Sequence, residues 1–134
     1  MGKSSKEILE SAKTIAVVGA SRDPHKPSSS VPLSMKASGF RIIPVNPLAK
    51  ELFGERCYPT LLDIPEKVDI VNVFRPSEDT PPVARDAVKI GARALWLQSG
   101  IHHEESRRIA EEAGLDYIED ECIAVVRSIH RITR

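Results

Sequence analysis

Gly19, Ala20, Ser21, Arg22, Lys26 and Ser28 come directly after an apolar run, Ile15-Ala16-Val17-Val18. Small residues, hydroxyls and two cations at a strand-to-helix junction suit a phosphate or pyrophosphate. The first N–H groups of a helix have no partner inside it, and partial positive charge collects there. Gly19 stands where the first glycine of the dinucleotide pattern G-x-G-x-x-G belongs, but Ser21 and Pro24 take the places of the second and third. The loop therefore reads as phosphate-binding but not as a standard NAD turn.

A second group of residues sharpens this. The run Arg41 to Val45 ends at Asn46-Pro47, with Lys50 shortly after. NAD-binding folds place an acid at the end of their second strand, to hold the ribose hydroxyls. An amide followed by a lysine repels no ribose phosphate and can pair with one. The pattern fits a nucleotide with an extra ribose phosphate, the 2′-phosphate of NADP or the 3′-phosphate of coenzyme A. Two further strand ends, Phe74-Arg75-Pro76 and Gln98-Ser99-Gly100, add a ring, a guanidinium and small polar groups. The ring and guanidinium can lie against adenine or a phosphate.

Nothing comparable points to a catalytic centre. His102 and His103 are adjacent, so they do not share a helical face. No G-x-S-x-G elbow occurs. The two cysteines, Cys57 and Cys122, form no metal spacing. Cys122 is the one candidate for reactivity, at the expected start of the last helix, where its thiol can meet a thiol-bearing ligand arm as a mixed disulfide.

Elements that position these residues follow from periodicity. Strands are predicted at Thr14–Val18, Arg41–Val45, Val68–Phe74, Arg93–Gln98 and Leu115–Ile118. Helices are predicted from Ser5, which can cap the first, to about Ala12, over Ser30–Ser38 with Pro32 in the first turn, from a Thr80 cap with Pro81, over Glu104–Ala113, and over Cys122–Ser128. Residues 48–67 read as irregular, with one helical turn at Thr60–Ile64. Alternation of this kind predicts an α/β fold: a Rossmann-like, doubly wound parallel five-stranded sheet with helices on both faces, in a single domain spanning 1–134. Ligands of such sheets sit beyond the carboxyl ends of the strands. The 19 Lys and Arg balance 19 Asp and Glu, which argues against nucleic acid held by bulk charge. No secretory or membrane-spanning run is visible, and the expected address is cytoplasmic.

Together these motifs resemble a known family, the stand-alone CoA-binding proteins, single-domain relatives of the CoA-binding domain of the succinyl-CoA synthetase α subunit. The pieces carrying the resemblance are A-V-V-G-A-S-R-D-P-x-K-P-S at 16–28, I-P-V-N-P at 43–47, Y-P-T-L at 58–61, D-I-P at 63–65, V-D-I-V-N-V-F-R at 68–75, G-A-R-A-L-W-L-Q at 91–98 and D-x-C at 120–122. The resemblance implies coenzyme A, or acyl-CoA, as ligand. Gly19, Ala20, Ser21 and Arg22 would line the phosphate loop with Lys26 and Ser28. Val45, Asn46 and Pro47 would lie against the adenosine, and Lys50 would pair with the 3′-phosphate. Phe74, Arg75 and Pro76 would border the nucleotide, and Gln98, Ser99 and Gly100 the ligand arm. Pro76 stands where relatives often carry a second arginine, and Glu121 where they often carry a base.

The synthetases keep their phosphorylated histidine and nucleotide-supplying partner in other domains. A non-catalytic carrier, sensor or partner subunit of a separate enzyme is therefore expected here. The alternatives are an NADP-dependent oxidoreductase domain and a regulatory subunit with a vestigial pocket.

Overall fold

A computed structural model describes residues 2–134. Apolar runs rich in Val and Ile form β1 (Thr14–Val18), β2 (Arg41–Val45), β5 (Ile70–Val73), β6 (Ala94–Leu97) and β7 (Asp116–Ile118). These five strands pair in the order β2-β1-β5-β6-β7, all parallel. The chain moves outward from β1 to β2 and then returns to the other side of β1. Neighbouring loops diverge at that reversal, which opens a crevice between β1 and β5.

Alternation along the strands divides the core in two. Ile15 and Val17 face α1 (Ser5–Ser11), α2 (Pro27–Ala37) and α5 (Ile123–His130), where Leu9, Met35 and Ile123 are buried. Ala16 and Val18 face α3 (Thr80–Lys89) and α4 (Glu104–Glu112), which contribute Ala84, Ala87 and Ala110. Both faces of the sheet are thus covered, as a parallel sheet requires.

Several boundaries differ from the sequence expectation. Ser4, not Ser5, caps α1: its Oγ accepts from Glu7 N at 3.2 Å, and its own N–H donates to Glu7 Oε1 at 3.0 Å. Helix α2 begins at Pro27, three residues before the predicted start, so Pro32 lies inside it. Pro32 has no N–H to offer the Ser28 carbonyl one turn back. That carbonyl instead accepts from Ser21 N at 3.1 Å, which closes the loop after β1 onto the helix. The region read as irregular contains a small hairpin, β3 (Glu51–Leu52) and β4 (Glu55–Arg56). Its turn residues Phe53 and Gly54 both have positive φ, 58° and 73°. Lys36 and Arg41 hold it through Glu55, at 3.0 and 2.7 Å. These two cations keep the Glu55 carboxyl below the usual carboxylate range.

The lone tryptophan links the sheet to the last helix. Trp96 is fully buried, and its Nε1 donates to the Glu121 carbonyl at 2.8 Å. Trp96→Phe should cost about 2 kcal/mol, since it orphans that carbonyl and leaves a void. Urea unfolding would register this as a lower midpoint with an unchanged slope.

Candidate functional site

The carboxyl ends of β1, β2 and β5 surround a cleft of about 640 Å³. Each wall comes from one strand end. Gly19, Ala20 and Ser21 follow β1, Asn46 and Pro47 follow Val45 of β2, and Phe74 and Arg75 follow β5. Lys26 and Ser28 close the side toward α2.

Backbone contacts bring these ends together. Gly19 N donates to Val45 O at 3.1 Å, and Phe74 N donates to Val18 O at 2.9 Å. Gly19 adopts φ +85°, and a Cβ built there would lie 3.0 Å from the Phe74 carbonyl oxygen. Only a residue without a side chain lets β1 and β5 approach this closely.

Asn46 has a role that sequence reasoning did not assign. Its Nδ2 donates to the Ala20 carbonyl at 2.8 Å, while its Oδ1 accepts from Leu48 N at 2.7 Å. The amide is a brace between two walls of the cleft. The second contact is an Asx turn that fixes Pro47-Leu48.

A second cleft, of about 530 Å³, continues past α2 toward α5. Lys26, Ser28 and Phe74 line both clefts, so the two adjoin at these residues. Gln98, Ser99, Ile101 and Cys122 also line it. Gln98 is 4% exposed, and its Oε1 accepts from Asn72 Nδ2 at 3.0 Å and from Ile123 N at 2.9 Å.

Of the residues singled out from sequence, the walls of the two clefts bring together Gly19, Ala20, Ser21, Lys26, Ser28, Val45, Asn46, Pro47, Phe74, Arg75, Gln98 and Ser99. Arg22, Lys50, Pro76 and Gly100 lie outside those walls. Arg22 reaches instead toward the hairpin, where its guanidinium meets the Glu51 carbonyl at 3.5 Å. Lys50 is exposed next to the hairpin, its carbonyl accepting from Cys57 N.

The first cleft also has walls the sequence reading missed: Leu48, Pro59 to Leu61, Val83 and Asp86. Val83 and Asp86 are three apart on α3 and so share a face. Extending that face from Val83 was the available signal. Asp86 has no charged or hydrogen-bonded side-chain partner among the described residues, which leaves a free acceptor in the lining of the first cleft.

Histidine has a structural use here. His103 Nδ1 accepts from Glu105 N at 3.1 Å and caps α4. Burial raises the Cys57 thiol above its ordinary value, and Cys57 lines neither cleft. No helix among the described residues is long and apolar enough to cross a membrane.

Comparison with known proteins gives the family and the fold. The chain is 41% identical over 124 residues to the uncharacterized protein YneT of Bacillus subtilis, covering 92% of each. It superposes on the solved structure of cell-free ID.343 from Thermus thermophilus with a TM-score of 0.89 at 39% identity, covering 95% of this chain and 98% of that one. It is also 36% identical over 101 residues to the acetate–CoA ligase (ADP-forming) II of Archaeoglobus fulgidus, matching 74% of this chain but 15% of the ligase. Residues 13–128 match the profile of a family described as CoA binding domain, and the chain belongs to that family.

Proposed function

We propose that this chain binds coenzyme A or an acyl-CoA and serves as a non-catalytic carrier, sensor or partner subunit. The observation that carries this reading is the junction of the two clefts. Lys26, Ser28 and Phe74 line both, at the start of α2, where no side chain caps the first N–H groups. Coenzyme A has the matching layout, an adenosine and a pantetheine arm joined by a pyrophosphate. Anionic charge then falls at the helix start, where the Ser28 N–H has no partner and Lys26 supplies a cation. The adenosine takes the first cleft, with Asp86 accepting from its donors. The arm takes the second.

A ligase reaction needs parts beyond the region matched in the longer relative, so a separate enzyme is the proposed partner. Lys50 remains the proposed partner of the 3′-phosphate, reaching in from the rim. Its exposure lowers the expected contribution to that of a surface pair, about fivefold in affinity or less.

Calorimetric titration with CoA, dephospho-CoA and NADP tests the reading. CoA should bind tightest. Lys26→Ala should weaken CoA by about tenfold, the low end for a lost charge-assisted contact. Lys50→Ala should erase the preference for CoA over dephospho-CoA. No affinity for CoA, or equal affinity for CoA and NADP, overturns the proposal. Mass spectrometry of the protein as purified would show which acyl group, if any, accompanies the ligand.

A further inference from the structure

Two groups lining the second cleft have no structural task that uses them fully. One is the Gln98 amide. Its Oε1 must face inward, because Ile123 N is a donor and needs an acceptor there. Its Nε2 therefore turns to the cleft that Gln98 lines, and it has no partner among the described residues. Gln98 is otherwise buried, but its Nε2 is not sealed off, so it stays open to the cleft, where water or a ligand can accept from it. The other is Cys122, a free, half-buried thiol at the N-cap of α5 that makes no side-chain capping bond. The same cleft is lined by Pro27, Val31, Phe74 and Ile101, with Lys26 and three serines beside them.

Such a cleft fits an arm that is mostly apolar, carries carbonyl acceptors, and ends in sulfur. We propose that Cys122 captures the ligand covalently, as a mixed disulfide with the thiol of coenzyme A, while Gln98 Nε2 donates to a carbonyl of the pantetheine arm. This rests on the CoA reading above and adds a redox activity to it.

The step is thiol–disulfide exchange. The Cys122 thiolate attacks one sulfur of the symmetric disulfide of CoA, the protein–CoA S–S bond forms as the CoA–CoA S–S bond breaks, and one CoA departs as thiolate and takes up a proton. The incoming disulfide is the oxidant, so no other is needed. A dithiol reverses the step and returns free CoA and free Cys122. The chain then holds CoA tightly under oxidising conditions and releases it under reducing ones.

Intact-mass analysis of the full chain after exposure to CoA disulfide tests this. One CoA adduct per chain should appear and disappear with dithiothreitol. Cys122→Ser should give none, whereas Cys57→Ser should still be modified. Because the adenosine and pyrophosphate sites would hold the reagent beside the thiol, modification should be at least about tenfold faster than with glutathione disulfide at equal concentration. An adduct on Cys57, an adduct retained in Cys122→Ser, or equal rates with both disulfides overturns the capture site. If calorimetry shows CoA bound but no adduct forms, the capture proposal alone fails. If neither binding nor adduct is found, both proposals fail.

Discussion

Asn46→Asp should weaken CoA binding by roughly thirty- to a thousandfold while leaving the chain folded. The substitution keeps the size of the side chain and its acceptor toward Leu48 N. It removes the only donor that Asn46 gives to the Ala20 carbonyl, 2.8 Å away. Two oxygens then face each other at that distance, and the wall formed by Gly19-Ala20-Ser21 is pushed from the wall formed by Pro47-Leu48. An unmade bond of this kind costs about 1–3 kcal/mol. The new carboxylate also repels the ligand's phosphates, adding about 1 kcal/mol at a few ångströms in a wet site. Asn46→Ala separates the two causes, because it loses the brace without adding charge. It should lose less affinity than the aspartate variant, and less of its loss should vary with salt. An aspartate variant that binds CoA as the parent does would show that the brace does not shape the site.

The same residue shows how far the sequence could be read. That an amide rather than an acid ends β2 was legible, and so was the family to which the chain belongs. That the amide would be used on the protein itself was not, because its partner Ala20 is 26 positions away in sequence. Strands were legible where β-branched runs met a breaker, as in Thr14–Val18. The start of α2 was misjudged because Pro32 looked like a first-turn proline. The true first-turn proline is Pro27, and Pro32 is tolerated inside the helix because Ser21 supplies the donor that it lacks. The hairpin at 51–56 left almost no trace: its strands are two residues long and partly charged, and Phe53 takes a left-handed conformation that its side chain does not advertise. Lys50 was placed beside the nucleotide by counting from Asn46. Lys50 directly precedes the hairpin, exposed and outside the walls of both clefts, which is why its expected contribution is that of a surface pair. Asp86 was passed over for a different reason. Periodicity showed which face of α3 turns inward, but not that its upper part borders a cleft instead of the core.

Gly19→Val should be the most damaging single change to the site. It should destabilise the fold by about 3 kcal/mol and leave no measurable CoA binding. Two costs combine. At φ +85° any side chain strains the backbone, by about 1–2 kcal/mol. A Cβ would also sit 3.0 Å from the Phe74 carbonyl oxygen, 3.2 Å from its carbon and 3.3 Å from Arg75 Cδ. The first two atoms are backbone, and Phe74 is fixed to β1 by its bond to Val18 O. They cannot yield far without parting β1 from β5 at the mouth of the cleft. Alanine makes these same Cβ contacts, which a shift of a few tenths of an ångström relieves, whereas valine's two methyl groups extend the clash beyond such a shift. Gly19→Ala should therefore lose about 1–2 kcal/mol and retain weakened binding. Gly91→Ala provides the control. It has a similar φ, +73°, at the end of α3, with nothing within 4 Å of its Cβ and no part in either cleft. It should show the strain in thermal unfolding and none of the loss in titration. If Gly19→Val folds and binds CoA within about threefold of the parent, the close approach of the two strands is not what shapes the phosphate junction. The loop after β1 would then have to act independently of β5.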